Sequence, residues 1–209
     1  MTCATELQQL LGAFAVAIGC VAYAIYLWRT AKQGGISPHP FSWLLWGLVT
    51  TVAALVQKAT GAGPGLWVTA FTAVVCFVIG TLTLLKNRWV FTTFDWLSLA
   101  VGMAVLVFYV FATNPTASAL LATATDVVGY SSTIRKGWMT PRTDSATSFA
   151  LNSIKFIPAL FALNSYSIAT SLYPATLVVV NGGVALMLVI RRRHLTQAIL
   201  SSAPISDGP

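Results

Sequence analysis

Three polar side chains, Asp126, Lys155 and Asn181, fall at nearly one depth in otherwise apolar runs. Asp126 lies nine residues before Arg135, Lys155 ten after Ser145, and Asn181 ten before Arg191. At a helical rise of ~1.5 Å per residue, each is ~13–15 Å from its polar boundary, near the centre of a bilayer. A lone Lys or Asp at that depth costs about 3 kcal/mol on insertion scales, so two unpartnered charges would lose roughly 6 kcal/mol. The two are therefore expected to find each other and pair. On the same faces Tyr130 follows Asp126 by four residues, and Asn152 and Ser148 precede Lys155 by three and seven, which extends a polar stripe toward the basic helix ends. The chemistry open to such a set is binding and proton exchange. A charged solute would replace one partner of the pair, and a proton taken up by Asp126 would release Lys155. The bland alternative is a structural ion pair that locks two helices together.

The elements that must position these residues are membrane helices. The chain has 209 residues, 56% hydrophobic and only 8% charged, with a mean hydropathy of +0.78. A soluble domain cannot cover itself with so few charges. Seven apolar stretches are long enough to span: 8–28, 41–57, 65–85, 96–113, 117–134, 146–163 and 168–190. The net charge of +7 does not indicate nucleic acid, because Lys and Arg stand in short clusters between the apolar runs. Arg29, Lys32, Lys86, Arg88, Arg135, Lys136, Arg142 and Arg191 to Arg193 fall on one side, and Lys58 alone on the other. That asymmetry predicts an N-terminus outside and a C-terminus in the cytoplasm of a plasma (inner) membrane, and the first apolar stretch reads as an uncleaved helix.

The halves also look alike. "AFTAVVCFVIGTLTLLKNR" (70–88) aligns with "ATLVVVNGGVALMLVIRRR" (175–193), and "YLWRT" (26–30) with "STIRK" (132–136), at nearly one offset. Two parallel triplets of helices need one unpaired helix between them to restore direction. The expected fold is thus all-α and polytopic, a 3+1+3 plan of two parallel three-helix-bundle repeats: 1–90, a linker helix in 91–115, 116–194, and a flexible tail over 195–209. In the first repeat the places equivalent to Asp126, Lys155 and Asn181 are Cys20, Val49 and Cys76.

The second half of each basic turn leads into a helix start that carries serine: "YLWRTAKQGGISPHPFSWLLWGL" and "STIRKGWMTPRTDSATSFALNSIKF". In this the sequence resembles the PQ-loop family, which includes the SWEET sugar transporters, lysosomal amino acid exporters and the KDEL receptor, over about 8–193. The family's Pro-Gln pair would fall on Tyr26 and Leu27, and on Ser132 and Thr133, so both signature pairs are replaced. In SWEET-like members an Asn on the third helix of each repeat and aromatic residues on the second line the pocket. The resemblance implies those roles for Asn181, opposite Cys76, and for Trp46, opposite Asn152.

Other features read as structural. Trp43, Trp67, Trp89 and Trp96 suit an aromatic belt, and only Trp46 is deep enough for the pocket. "RRRH" after the last stretch is a stop-transfer anchor, His39 a turn residue, and "GAGPG" (61–65) an outer turn without the Lys and Ser/Thr of a phosphate loop. Cys3, Cys20 and Cys76 are too scattered for a disulfide framework or a metal cluster, and Pro158 is expected to kink the sixth helix.

The function expected is transport of a small-molecule substrate, a sugar, amino acid or organic acid, around a site of Asp126, Lys155, Asn181, Asn152, Tyr130, Trp46 and Ser148. A charged pocket favours a zwitterion or anion over a neutral sugar. The alternatives are a receptor or assembly partner without transport, and a retinal-type photoreceptor built on Lys155. The few acidic and His residues make no nucleophile and base pair, so neither an enzyme nor a cofactor or metal site is expected. Partners are the lipid bilayer and, through an exposed fourth helix, a second copy of the chain.

Overall fold

The computed structural model describes residues 2–32, 38, 40–86 and 92–202. Arg88, Trp89 and His39 lie outside the described residues, as does the side chain of Cys3. The described residues are helical and contain no strand. The helices are α1 Thr2–Ala31, α2 Pro40–Ala59, α3 Trp67–Lys86, α4 Thr93–Phe111, α5 Pro115–Met139, α6 Ala146–Phe161 and α7 Ile168–Ser202, with short 3-10 turns at Gly63–Leu66 and Pro141–Thr143.

Capping chemistry starts the polar helices where the sequence allows it. Asn114 accepts from the N–H groups of Thr116 and Ala117, with Pro115 in the first helical place, and so opens α5. Ser145 does the same for α6 through Ser148 N, at 3.2 Å. Between α2 and α3 the chain needs a left-handed residue, and Gly63 supplies it at φ +62°. A Cβ there would also lie 2.3 Å from the Asn164 side chain. Some buried threonines bond back to the carbonyl four residues earlier, as Thr72 does to Val68 O and Thr83 to Ile79 O, which places the hydroxyl proton within the helix.

Among the described residues four segments are long and apolar enough to cross a membrane: Thr5–Ala31, Pro40–Ala59, Gly63–Lys86 and Ile168–Leu195. The expected count of seven is met by helices but not by spans. In α4, a helix of 19 residues, the described apolar stretch is Leu99–Phe111. In α5 and α6 the Thr, Ser, Asn, Asp and Lys residues lower the hydropathy, and α6 has only 16 residues. Large apolar side chains such as Phe14, Leu85, Phe111, Val128 and Val179 are exposed on the outer surfaces, more than a water-soluble monomer tolerates.

The packing order is regular. α3 lies against both α1 and α2, and α7 against both α5 and α6. The two sets meet where α1 packs on α6 and α2 on α5, while α4 leans on α2 and α5. Val49, Val52 and Val56 of α2, Phe156 of α6 and Leu188 of α7 are buried in the core. α7 continues to Ser202, into the stretch that hydropathy assigns to a flexible tail.

Candidate functional site

All seven residues singled out above line one cavity of about 410 Å³ between the helices. Its walls come from α1, α2, α3, α5, α6 and α7, with Leu97 and Val101 of α4 at one side. It runs from Asp126 and Tyr173 in the interior to Lys136 and Asp144 at the end where Arg29 and Arg192 gather, called here the basic end.

Lys155 is completely buried. Its ammonium donates to Tyr23 Oη at 3.0 Å and to Thr72 Oγ1 at 2.8 Å, and it lies 4.3 Å from the Tyr23 ring centroid and 4.9 Å from that of Phe156. Asp126 is 2% exposed. Its Oδ1 accepts from Tyr173 Oη at 3.2 Å, and Tyr173 Oη is 2.6 Å from Thr50 Oγ1. The expected pairing of Asp126 with Lys155 is therefore corrected: among the described residues each charge is held by neutral hydroxyls instead of by the other. The cause is the packing order. α7 packs against both α5 and α6, while α6 turns its lysine toward α1 and α3.

The other members divide into two groups. Tyr130 Oη donates to Asn181 Oδ1 at 3.2 Å, Asn181 Nδ2 donates to Leu177 O at 2.9 Å, and the Trp46 ring lies over Tyr130 with centroids 5.0 Å apart. Gly129 permits this approach, since a Cβ there would be 3.1 Å from Trp46 Nε1. Ser148 is occupied with Ser145, oxygen to oxygen at 2.8 Å. Among the described residues, three buried polar atoms that line the cavity have no hydrogen-bond partner: Asp126 Oδ2, Asn152 Oδ1 and Trp46 Nε1. Two acceptors and one donor are thus open beside two unpaired charges, a set that a solute with donor and acceptor groups would satisfy.

At the basic end Arg29 Nη1 donates to Ser145 Oγ at 3.1 Å, and Arg192 donates to Pro141 O at 2.9 Å and Asp144 O at 2.6 Å. Lys136 Nζ stands 4.0 Å from Asp144 Oδ2. Burial pushes the Asp144 carboxyl above the usual carboxylate range, against the opposing pull of Lys136, the Ser145 backbone N–H and Arg192.

The opposite end is closed by the two turns that meet there. Gly65 N donates to Ala162 O, Asn164 N to Ala62 O, and Ser165 Oγ to Thr60 O, each at 3.1 Å. Gln8 Nε2 reaches Leu163 O at 3.0 Å. Below them Gln57 Nε2 of α2 donates to Thr170 O of α7 at 2.9 Å. Pro174 stands four residues after Thr170 and has no N–H to offer that carbonyl, so Gln57 supplies the donor that the proline removes.

Sequence reasoning missed Tyr23, Thr72, Thr50 and Tyr173, the hydroxyls that hold the charges. Tyr23 and Tyr173 lie within two turns of a helix end, where tyrosine reads as part of an interfacial belt. Thr50 and Thr72 carry no signal of their own. Among the described residues no three His, Cys, Asp or Glu side chains gather as a metal site. No protein-family model, no curated protein and no solved structure matches the chain.

Proposed function

We propose that the chain is a small membrane transporter of a polar metabolite, a relative of the PQ-loop proteins that works by alternating access around Asp126 and Lys155. The observation that carries this reading is the cavity itself: two opposite charges without each other as partners, and three orphaned polar atoms, in a space that reaches one end of the bundle and is sealed at the other. A purely structural buried pair would have its atoms mutually satisfied.

The 3+1+3 plan fits the packing order, in which the third helix of each triplet lies beside the other two and the triplets meet through equivalent seams, α1 on α6 and α2 on α5. Rocking the triplets about those seams would open the turn end while the basic end closes. By the positive-inside rule the basic end is cytoplasmic, which puts the N-terminus outside and the present opening inside, in a plasma (inner) membrane. Lys155 attracts the acceptor or anionic group of the solute, while Asp126 and Asn152 take its donors. A proton exchanged at Asp126 Oδ2 couples the cycle.

The test is uptake of radiolabelled sugars, amino acids and organic acids into proteoliposomes, repeated with Asp126→Asn and Lys155→Ala. Flux of at least one solute that falls more than tenfold in both variants supports the reading. Absence of flux for every class, or flux retained in both variants, overturns it.

A further inference from the structure

We infer that Tyr173 is the positioning residue through which the proton on Asp126 is felt at the seam between the two helix triplets. This rests on the transporter reading for the proton at Asp126, and extends it to the part that moves. The Tyr173 hydroxyl is 2% exposed as a residue, belongs to α7, and touches Asp126 of α5 and Thr50 of α2 at once. An ionised carboxylate can only accept, so Tyr173 must donate to Asp126 Oδ1 and must itself accept from Thr50 Oγ1. The chain Thr50 to Tyr173 to Asp126 then runs in one direction, and it crosses from the first triplet to the second where α2 packs against both α5 and α7.

The open oxygen of the same carboxyl is Oδ2. A proton arriving through the cavity from its basic mouth binds there, and the group becomes neutral without displacing Tyr173. What changes is the strength of the bond at Oδ1, which passes from charge-assisted to neutral and loses about half its strength. The tie across the seam is therefore firm when Asp126 is ionised and slack when it is protonated. Gln57 and Thr170 tie the same two helices farther along, at the closed end, so a slack Tyr173 leaves that end held by neutral bonds alone. The titratable groups that line the cavity with Asp126 are Tyr130 on its own helix, Tyr23 of α1, Cys76 of α3, Lys155 of α6, which is turned to Tyr23 and Thr72, and Tyr173 of α7, while α2 contributes Thr50 and Trp46 and α4 the apolar Leu97 and Val101.

The test needs no known solute. Spin labels at Lys58→Cys and Ile168→Cys, both exposed at the turn end, are placed in the full chain with Cys3 and Cys20 replaced by serine and buried Cys76 kept. Their distance distribution is followed against pH in lipid nanodiscs. The parent should exchange a short-distance for a long-distance population by a factor on the order of ten as pH falls. Asp126→Asn should abolish the pH dependence, which separates it from the effect of Asp144. Tyr173→Phe keeps the ring and should cut the pH-linked change to less than about twofold. Thr50→Val breaks the chain from its other end and must do the same, so the idea stays testable if one variant fails to fold. A flat parent profile, or a parent-like profile in either variant, overturns the inference. Solute flux with an unaltered pH profile in Tyr173→Phe would sink the relay and leave transport standing, whereas a pH-linked distance change without any flux would do the reverse.

Discussion

Replacing Asp126 by asparagine distinguishes two accounts of the cavity by the sign of a stability change. Asparagine keeps the shape of the side chain and an oxygen that accepts from Tyr173, now 3.2 Å from Oδ1. The bond loses its charge assistance, a cost of about 1 kcal/mol. Against this stands removal of a charge that is 2% exposed, with one oxygen unpartnered; at bilayer depth such a charge carries a penalty of about 3 kcal/mol. The balance lies between no change, where the wild-type carboxyl already carries a proton, and a gain of about 2 kcal/mol, where it is ionised. For a chain of this length the upper figure raises Tm by up to about 8 °C. Thermal unfolding of the detergent-purified protein, followed by tryptophan fluorescence, reads the shift, and the flux assay on the same preparation should show transport lost. Had Asp126 neutralised Lys155 directly, the same substitution would strand a buried cation and cost about 3–5 kcal/mol. A fall in Tm of about 6 °C or more would refute the hydroxyl-held arrangement and restore the structural ion pair.

Gln57→Leu removes the donor that replaces the missing N–H of Pro174 and leaves Thr170 O unsatisfied in a residue with no exposure; it should destabilise by about 1–3 kcal/mol and raise amide hydrogen exchange first over residues 162–170. The carboxyl of Asp144 binds its proton more tightly in the folded than in the unfolded chain, because burial raises it. Its contribution is therefore present at low pH and lost as pH rises from about 4, the unfolded value, through the folded one, so Asp144→Asn should flatten that part of the Tm against pH curve.

Height along a helix is local arithmetic, and the sequence carries it well. Counting residues from the basic boundaries places Asp126, Lys155 and Asn181 at one level, and all three do line the same cavity. Direction around the axis is not local, since each residue turns the side chain by about 100° and the neighbour it meets depends on which helices are adjacent. The resemblance between halves could be read from the offset of about 105 residues, but not the placing of α7 against both α5 and α6, which is what parts the two charges. Helix ends show the same divide. Hydropathy stops the fifth helix at 134, yet α5 runs on to Met139, because Arg135 and Lys136 are good helix formers and the backbone bonds do not depend on apolarity. Pro174 is the sharpest case: its presence announces a carbonyl without a donor at Thr170, while nothing in the chain announces that Gln57, more than a hundred residues earlier, will fill it. The cavity follows the same logic. Polar groups that reach a neighbour, as Lys155 does at Tyr23 and Thr72, are stabilised within the protein, and those that among the described residues do not, Asp126 Oδ2, Asn152 Oδ1 and Trp46 Nε1, are the atoms on which the proposed recognition of a solute rests.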